Sequence, residues 1–188
     1  MFSGFNILDI LSTEVSKKVV ADVDNHPDAK RSFSEICRAY GFPVMEYGVI
    51  TDDGYILTIF RIPFGNDEEK GPGKIAGIER RRPPVFLQHG LIDSADTWIL
   101  NGPQLSPAFL LANSGYDVFL GNSRGNYYSR KHIRLSPKDK AFWDFTWVDM
   151  GRMDIPKMVD YALKLSKAEK LTYIGHSQGT TQMFVGLS

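Results

Sequence analysis

The chain is short of several things, and each shortage excludes a class of protein. It has one cysteine, Cys37, so neither an internal disulfide framework nor a cysteine-rich metal site can form. No apolar run reaches the roughly 18 residues that would make a transmembrane helix candidate. Charge of either sign is not in excess. Lys plus Arg total 22 and Asp plus Glu total 22, which gives no support for a nucleic-acid partner. The opening MFSGFNILDIL lacks a basic start and is broken by Asp9, so it does not read as a secretory leader. No N-x-S/T acceptor and no internal repeat occur. What remains is ordinary globular composition, 43% hydrophobic and 23% charged over 188 residues, a length that suits one domain.

Periodicity divides the chain into an N-terminal helical segment, 1–40, and a longer part, 41–188. In the first, Phe5, Leu8 and Leu11 share helical spacing, as do Ile7, Ile10 and Val15, which predicts a short amphipathic helix that packs on the domain or touches lipid. His26-Pro27-Asp28 interrupts it. A second helix is predicted over 29–40, with Phe33, Ile36, Cys37 and Tyr40 on one face and Gly41 as its cap, making Cys37 a core residue. Then 44–50 and 55–62 read as strands joined by an Asp-Gly turn. Residues 63–84 read as an exposed loop in which Arg80, Arg81 and Arg82 form a solvated run rather than a phosphate site.

Beyond residue 84 the rhythm becomes strand, helix, strand, helix, strand. The apolar strands are 85–88, 117–120 and 171–174. The helices are 105–113 and a mainly helical 138–166, with a break near Asp154, read as a cap, and Pro156, read as first-turn proline. This alternation predicts an α/β fold with a mostly parallel sheet covered by helices on both faces.

The feature that carries chemistry is Gly175-His176-Ser177-Gln178-Gly179, the G-x-S-x-G pattern of a nucleophile elbow. The bare pattern arises by chance in about one in twenty chains of this length, at roughly 7% usage of Gly and of Ser. An apolar strand runs straight into Gly175 and a helix-compatible TTQMFVGL follows Gly179, and chance rarely supplies both flanks. Such a turn holds Ser177 in a strained backbone conformation, and the glycines on either side let neighbouring backbone pass closely. The hydroxyl then projects at the carboxyl edge of the sheet, at a helix N-terminus that favours developing negative charge. An oxyanion hole would take the N–H of Gln178 as one donor and that of Leu91, after His89-Gly90, as the other. His89 is read as bracing that loop through its ring nitrogens and His176 as a packing or orienting residue.

A serine nucleophile needs a general base and an orienting carboxylate, which in this architecture follow it in the order Asp or Glu, then His. The eleven residues after Ser177, QGTTQMFVGLS, contain neither, and His26, His89, His132 and His176 all precede or adjoin it. The expectation is therefore an N-terminal part of a longer enzyme, with roughly another 150–200 residues supplying both partners. A degenerate, non-catalytic member is the rival account.

The sequence resembles the acid lipases, the gastric and lysosomal α/β-hydrolase group that includes steryl ester hydrolases. The resemblance runs over about 28–188. It rests on TDDGYILTIFRIP, FLQHGL at 86–91, Ser94-Ala95 with Trp98, GYDVFLGNSRGN at 115–126, FWDF at 142–145, DMGRMDIP at 149–156 and YIGHSQGT at 173–180. It implies that Ser177 is the acyl-enzyme nucleophile and that Leu91 and Gln178 are the oxyanion donors. It also implies that the triad's Asp and His, with a helical cap domain, lie beyond Ser188. Arg124 in NSRGN is expected to anchor loops through bidentate hydrogen bonds rather than to catalyse.

The implied function is hydrolysis of triacylglycerols or steryl esters at a lipid–water interface, with no metal or organic cofactor. The alternatives are a non-catalytic lipid-binding or regulatory module and an acyltransferase. The resemblance points to a lysosomal or extracellular compartment, although no clear leader is present. A parallel sheet cut partway exposes an edge and apolar faces. Residues 1–188 expressed by themselves are accordingly expected to be aggregation-prone and inactive; soluble protein that unfolds cooperatively and turns over an ester would contradict this.

Overall fold

A computed structural model describes residues 25–66 and 82–188 in full, and the backbone pairing of 74–75 with 78–79. The amphipathic helix expected around Phe5–Val15, and Arg80 and Arg81, lie outside the described residues. The chain divides into two compact units, 1–32 and 33–188. In the first, Pro27–Lys30 form a short 3-10 turn capped by the His26 ring, which accepts the Asp28 N–H. Arg31 is extended (φ −96°, ψ 142°), so the helix expected over 29–40 is two pieces, the second being α1, Phe33–Ala39, in the larger unit. Gly41 ends α1 as expected. It sits at φ +79°, its N–H donates to Arg38 O, and the Phe42 N–H donates to Cys37 O, the paired bonds of a Schellman cap.

The strands are β1 (Met45–Ile50), β2 (Tyr55–Ile62), the two-residue β3 (Lys74–Ile75) and β4 (Ile78–Glu79), β5 (Pro84–Gln88), β6 (Asp117–Gly121), β7 (Lys131–His132) and β8 (Thr172–Gly175). The main sheet runs β1-β2-β6-β5-β8, with β7 on β2. β6, β5 and β8 are parallel; β1–β2, β2–β6 and β2–β7 are antiparallel. The sheet is thus mixed rather than mostly parallel. The Asp-Gly hairpin accounts for one antiparallel pair, because a tight turn reverses the chain at Gly54, and β2 then also meets β6 and β7 antiparallel. β3 and β4 likewise form a small antiparallel ladder inside the stretch expected to be loop.

The inner strands β5 and β6 are buried at every position, and alternate residues feed two cores. Phe60, Ile62, Val85, Leu87, Val118 and Leu120 face α1 and α2 (Pro107–Asn113), where Phe109 stacks on Phe42 at 4.2 Å and Phe33 on Phe60 at 4.2 Å. Leu57, Ile59, Phe86 and Phe119 face the other way, onto Ile155, Met158 and Ala162 of α4 (Ile155–Ser166). Cys37 is fully buried in the first core, and burial pushes its thiol up to about 12, so it is an inert packing residue.

The expected helix break near 154–156 is a π turn. A capping box formed by Thr146 and Asp149 starts α3 (Trp147–Asp149), Met150–Asp154 are π-helical, and α4 follows with Pro156 in its first turn. Pro156 has no N–H to give the preceding turn, which lets the ladder open there. Gly151 lies in this turn. A Cβ on it would sit 2.6 Å from Val185 Cβ of α5 (Gln178–Gly186), so the turn sets how closely α5 approaches.

Phe109→Ala is expected to lower the unfolding free energy of the intact protein by about 3–5 kcal/mol through a cavity between α2 and the sheet; denaturant titration checks it, and a loss below about 1 kcal/mol would show that this core does not hold the sheet.

Candidate active site

β5 is the switch point of the sheet. From it the chain passes to β6 on one side and later to β8 on the other, and open α/β sheets bind ligands at the carboxyl ends of such strands. There, β5 runs into His89-Gly90-Leu91 and β8 into His176-Ser177. The parallel ladder pairs Gln88 with Gly175, and the His176 N–H donates to Gln88 O at 3.0 Å, so the two loops leave the sheet side by side.

Ser177 has φ +50° and ψ −120°, a conformation that side chains rarely adopt, and its side chain is exposed. It occupies the N-cap of α5 without a side-chain capping bond, so the helix does not consume its hydroxyl. Two glycines make the turn possible. A Cβ on Gly179 would lie 2.5 Å from Gln88 O and 2.7 Å from His89 O, and one on Gly175 would lie 2.7 Å from the Thr180 N. Gly90 completes the set: a Cβ there would be 3.1 Å from Ser177 Cβ. Against backbone atoms such approaches leave nothing that can yield, and only glycine fits at 175 and 179.

Beside the elbow lies a cavity of about 580 Å³. Its lining includes Leu91 and Gln178, with Tyr127, Trp143, Phe145 and Met150 among the other walls, and it stops short of Ser177 itself. Of the three residues expected to carry the reaction, Leu91 and Gln178 line the cavity, and Ser177 is outside its lining, beside Gly90. Leu91 is 65% exposed and Ile92 97% exposed. Ile92 is also at φ +53°, a genuine outlier for a β-branched residue. Gln178 opens α5, so its N–H has no acceptor within the helix.

Beneath the loops is a layer of buried polar side chains. Arg124 is the largest. Its guanidinium takes the Asp154 carboxylate (Nε–Oδ1 2.9 Å, Nη2–Oδ1 2.6 Å) and the Asp53 carboxylate (Nη1–Oδ2 2.5 Å, Nη2–Oδ1 3.1 Å), and it stacks on the Tyr55 ring at 4.1 Å. The anchoring role expected of Arg124 is what the geometry shows: it ties the β1–β2 turn, the loop after β6 and the π turn together. Asp154, expected to cap α4, is instead helical (φ −72°, ψ −53°), and its carboxylate is used on Arg124. Burial raises that carboxyl, and its bonds to Arg124 offset only part of the rise, leaving it at about 6. Burial alone would lower the Arg124 guanidinium; its bonds to both aspartates raise it instead. For Asp53, burial raises the carboxyl, and the bonds from Arg124 and Thr51 carry it below its usual range.

A second buried cluster had no sequence reading. Gln88 Nε2 donates to Ser123 Oγ at 2.9 Å, and Gln182 Nε2 of α5 donates to the same oxygen at 3.2 Å. The signal was there: Gln88 is the polar end of an otherwise apolar strand.

Two of the histidines at this end have both ring nitrogens engaged. His89 is buried. Its Nδ1 is 2.8 Å from Gly90 O and its Nε2 accepts the Ser123 N–H at 3.1 Å, so it braces the loop as expected. His132 has Nε2 at 2.9 Å from Asp53 O and Nδ1 taken by the N–H groups of Arg134 and Leu135. His176 is exposed, with Nδ1 against Gly90. Among the described residues no group of acids, histidines or cysteines could hold a metal ion, and no helix is long and apolar enough to cross a membrane.

Comparison with known proteins agrees with this layout. Residues 83–187 match the family model for the alpha/beta hydrolase fold, and 33–102 match that for a partial alpha/beta-hydrolase lipase region. Lipase member K of Mus musculus is 48% identical over 166 residues, covering 87% of this chain and 39% of its own length. Gastric triacylglycerol lipase of Rattus norvegicus is 45% identical over 163 residues, covering 87% and 40%. The chain therefore spans about two fifths of the length of the curated relatives it matches. Among solved structures, an esterase of Pyrococcus furiosus superposes with a TM-score of 0.54 at 21% identity, covering 81% of this chain and 49% of that one, a likeness of fold.

Arg124→Met leaves the fully buried Asp154 carboxylate without its cation. It is expected to cost about 3–5 kcal/mol in denaturant unfolding of the intact protein; a loss near zero would show that the pair is not what holds the three loops.

Proposed function

This chain belongs to the α/β-hydrolase fold family, and from that premise we propose that it is the nucleophile-bearing part of a serine lipase that hydrolyses neutral lipid esters. The observation that carries the reading is the elbow. Ser177 is held at φ +50° with its hydroxyl unused by α5, next in the chain to Gln178, which lines a cavity together with Leu91. The names of the similar proteins, lipase member K and gastric triacylglycerol lipase, support the substrate class.

In this mechanism Ser177 Oγ attacks the acyl carbonyl as its proton passes to a histidine, forming a tetrahedral intermediate. The N–H groups of Leu91 and Gln178 bind the oxyanion, and α5 adds its positive end. The protonated histidine gives its proton to the alkoxide, and the alcohol leaves. Water, deprotonated by the same histidine, then attacks the acyl-enzyme, and the fatty acid departs as Ser177 recovers its proton. His89 and His132 have both ring nitrogens engaged, and His176 immediately precedes the nucleophile in the elbow, so we assign the base and its carboxylate to the part of the relatives' length that this sequence does not span. The walls offered by Tyr127, Trp143, Phe145 and Met150 suit an apolar acyl chain. The chemistry asks for no metal and no organic cofactor, and the compartment that accompanies the reading is extracellular or lysosomal.

Ser177→Ala in the whole protein is expected to abolish hydrolysis of long-chain acyl esters, measured as fatty acid released from a triacylglycerol emulsion and from a steryl ester dispersion. Activity equal to that of the unsubstituted protein on both would remove Ser177 from the role.

A further inference from the structure

The Leu91 N–H can serve as an oxyanion donor only if its peptide plane is held in one orientation, and a buried side-chain relay does this. The Ser123 backbone N–H lies 3.1 Å from His89 Nε2, and a backbone N–H can only donate. Nε2 must therefore be the unprotonated nitrogen, which places the ring proton on Nδ1, 2.8 Å from Gly90 O. The Gly90 carbonyl is thus bonded to a ring that is itself 1% exposed. Amide planarity does the rest: in a trans peptide the N–H points opposite to the C=O, so fixing Gly90 O inward turns the Leu91 N–H outward, away from the buried ring.

Asn126 holds both ends of this arrangement. Its Nδ2 lies 3.1 Å from His89 Nε2, 3.3 Å from Asp93 O and 2.9 Å from Asn122 Oδ1. Its Oδ1 accepts the N–H groups of Tyr128 and Ser129, both at 3.0 Å, which fixes the amide's orientation, since the face toward His89 must be NH₂. The loop from Gly90 to Asp93 is thereby tied at its first carbonyl through His89 and at its last carbonyl directly. Between the two ties sit Leu91 and the strained, 97% exposed Ile92. A β-branched residue in the left-handed region persists only where its surroundings over-determine it, and two ties three residues apart are such surroundings.

We propose that Asn126 is a positioning residue for ester hydrolysis: through the His89 ring and the Asp93 carbonyl it sets the Gly90–Leu91 peptide plane and so aims the oxyanion-binding N–H of Leu91. The assignment rests on the serine-hydrolase reading of Ser177. Burial lowers the His89 imidazole's affinity for a second proton, which keeps the ring in the single neutral form the relay uses.

Asn126→Asp is the discriminating change in the whole protein. It keeps the oxygen that receives Tyr128 and Ser129 and replaces the donor facing three acceptors by an acceptor. With a soluble short-chain p-nitrophenyl ester, kcat is expected to fall about 100-fold, the scale of losing one oxyanion donor, while KM changes little. His89→Phe is expected to move kcat in the same direction and serves if the aspartate variant does not fold. Independently, the imidazole 15N shifts of His89 in the unsubstituted protein should report a proton on Nδ1. A kcat retained in either folded variant, a KM rise that accounts for the whole loss, or a proton on His89 Nε2 would overturn the proposal. Activity that survives Ser177→Ala would instead sink the serine-hydrolase reading, and the 15N shifts would still decide whether the relay exists.

Discussion

Everything at the carboxyl edge of the sheet depends on how closely two backbones pass. β5 and β8 are neighbours in a parallel ladder, and both are followed by turns that have to clear each other within a few ångströms. The carbonyls of Gln88 and His89 occupy the space where a side chain at 179 would begin, and Ser177 Cβ stands against Gly90. These contacts are steric and leave little freedom. They place the Ser177 hydroxyl, the Gln178 N–H and the loop bearing Leu91 in one small volume without requiring any attraction among them. The strain at Ser177 is the consequence: a residue at φ +50° is tolerated because the strand before it, the helix after it and the loop beside it all fix the turn.

Such a turn needs a stiff floor, and the floor is polar. Burying Arg124 with Asp154, beside a part-exposed Asp53, is costly, because taking charges out of water loses several kcal/mol per ion before any attraction is counted. A hydrophobic triad could be as stable. What it could not supply is direction. The planar guanidinium addresses Asp154 on one edge and Asp53 on the other, which sets the β1–β2 turn and the π turn relative to the loop after β6. The neighbouring Gln88–Ser123–Gln182 cluster does the same between β5 and α5. Apolar contacts fix distance but carry no direction of their own, whereas hydrogen bonds weaken steeply as their angle is lost. The polar layer between the apolar sheet and its carboxyl edge therefore adds the directional part of the geometry.

The sequence made much of this legible, and the parts it hid have physical reasons. The strands and helices after residue 84 were readable because each buries a periodic apolar face. The elbow was readable because steric demands leave so few residue types at 175, 177 and 179. Cys37, His89 and Arg124 could be placed by the chemistry of their side chains. The antiparallel β1–β2 hairpin was readable from its Asp-Gly turn, but the antiparallel pairing of β2 with β6 was not, because it depends on which strands become neighbours, and periodicity carries no such information. Asp154 misled because acids before a first-turn proline usually cap, and a partner thirty residues away is invisible to local pattern. Asn126 and Gln182 were silent for the same reason: their partners come from distant loops, and one amide in a chain signals nothing until its neighbours are known.

The division of labour at the edge follows from which atoms do what. On the serine-hydrolase reading, the groups that would meet developing charge are main-chain N–H groups, at Leu91 and Gln178, and every residue except proline offers one. The side chains at those two positions are consequently free to vary without touching the charge-stabilising step. On the same reading, selectivity falls to the side chains that wall the cavity, where Tyr127, Trp143, Phe145 and Met150 stand beside polar groups such as Asp93, Arg124 and Arg130. They come from segments that Arg124 and the π turn fix in place rather than from the elbow. On that reading, the main-chain groups that meet charge and most of the side chains that wall the cavity belong to different segments of the fold. Substitutions in the walls can retune which acyl chain fits while the peptide groups that stabilise charge stay where the glycines put them.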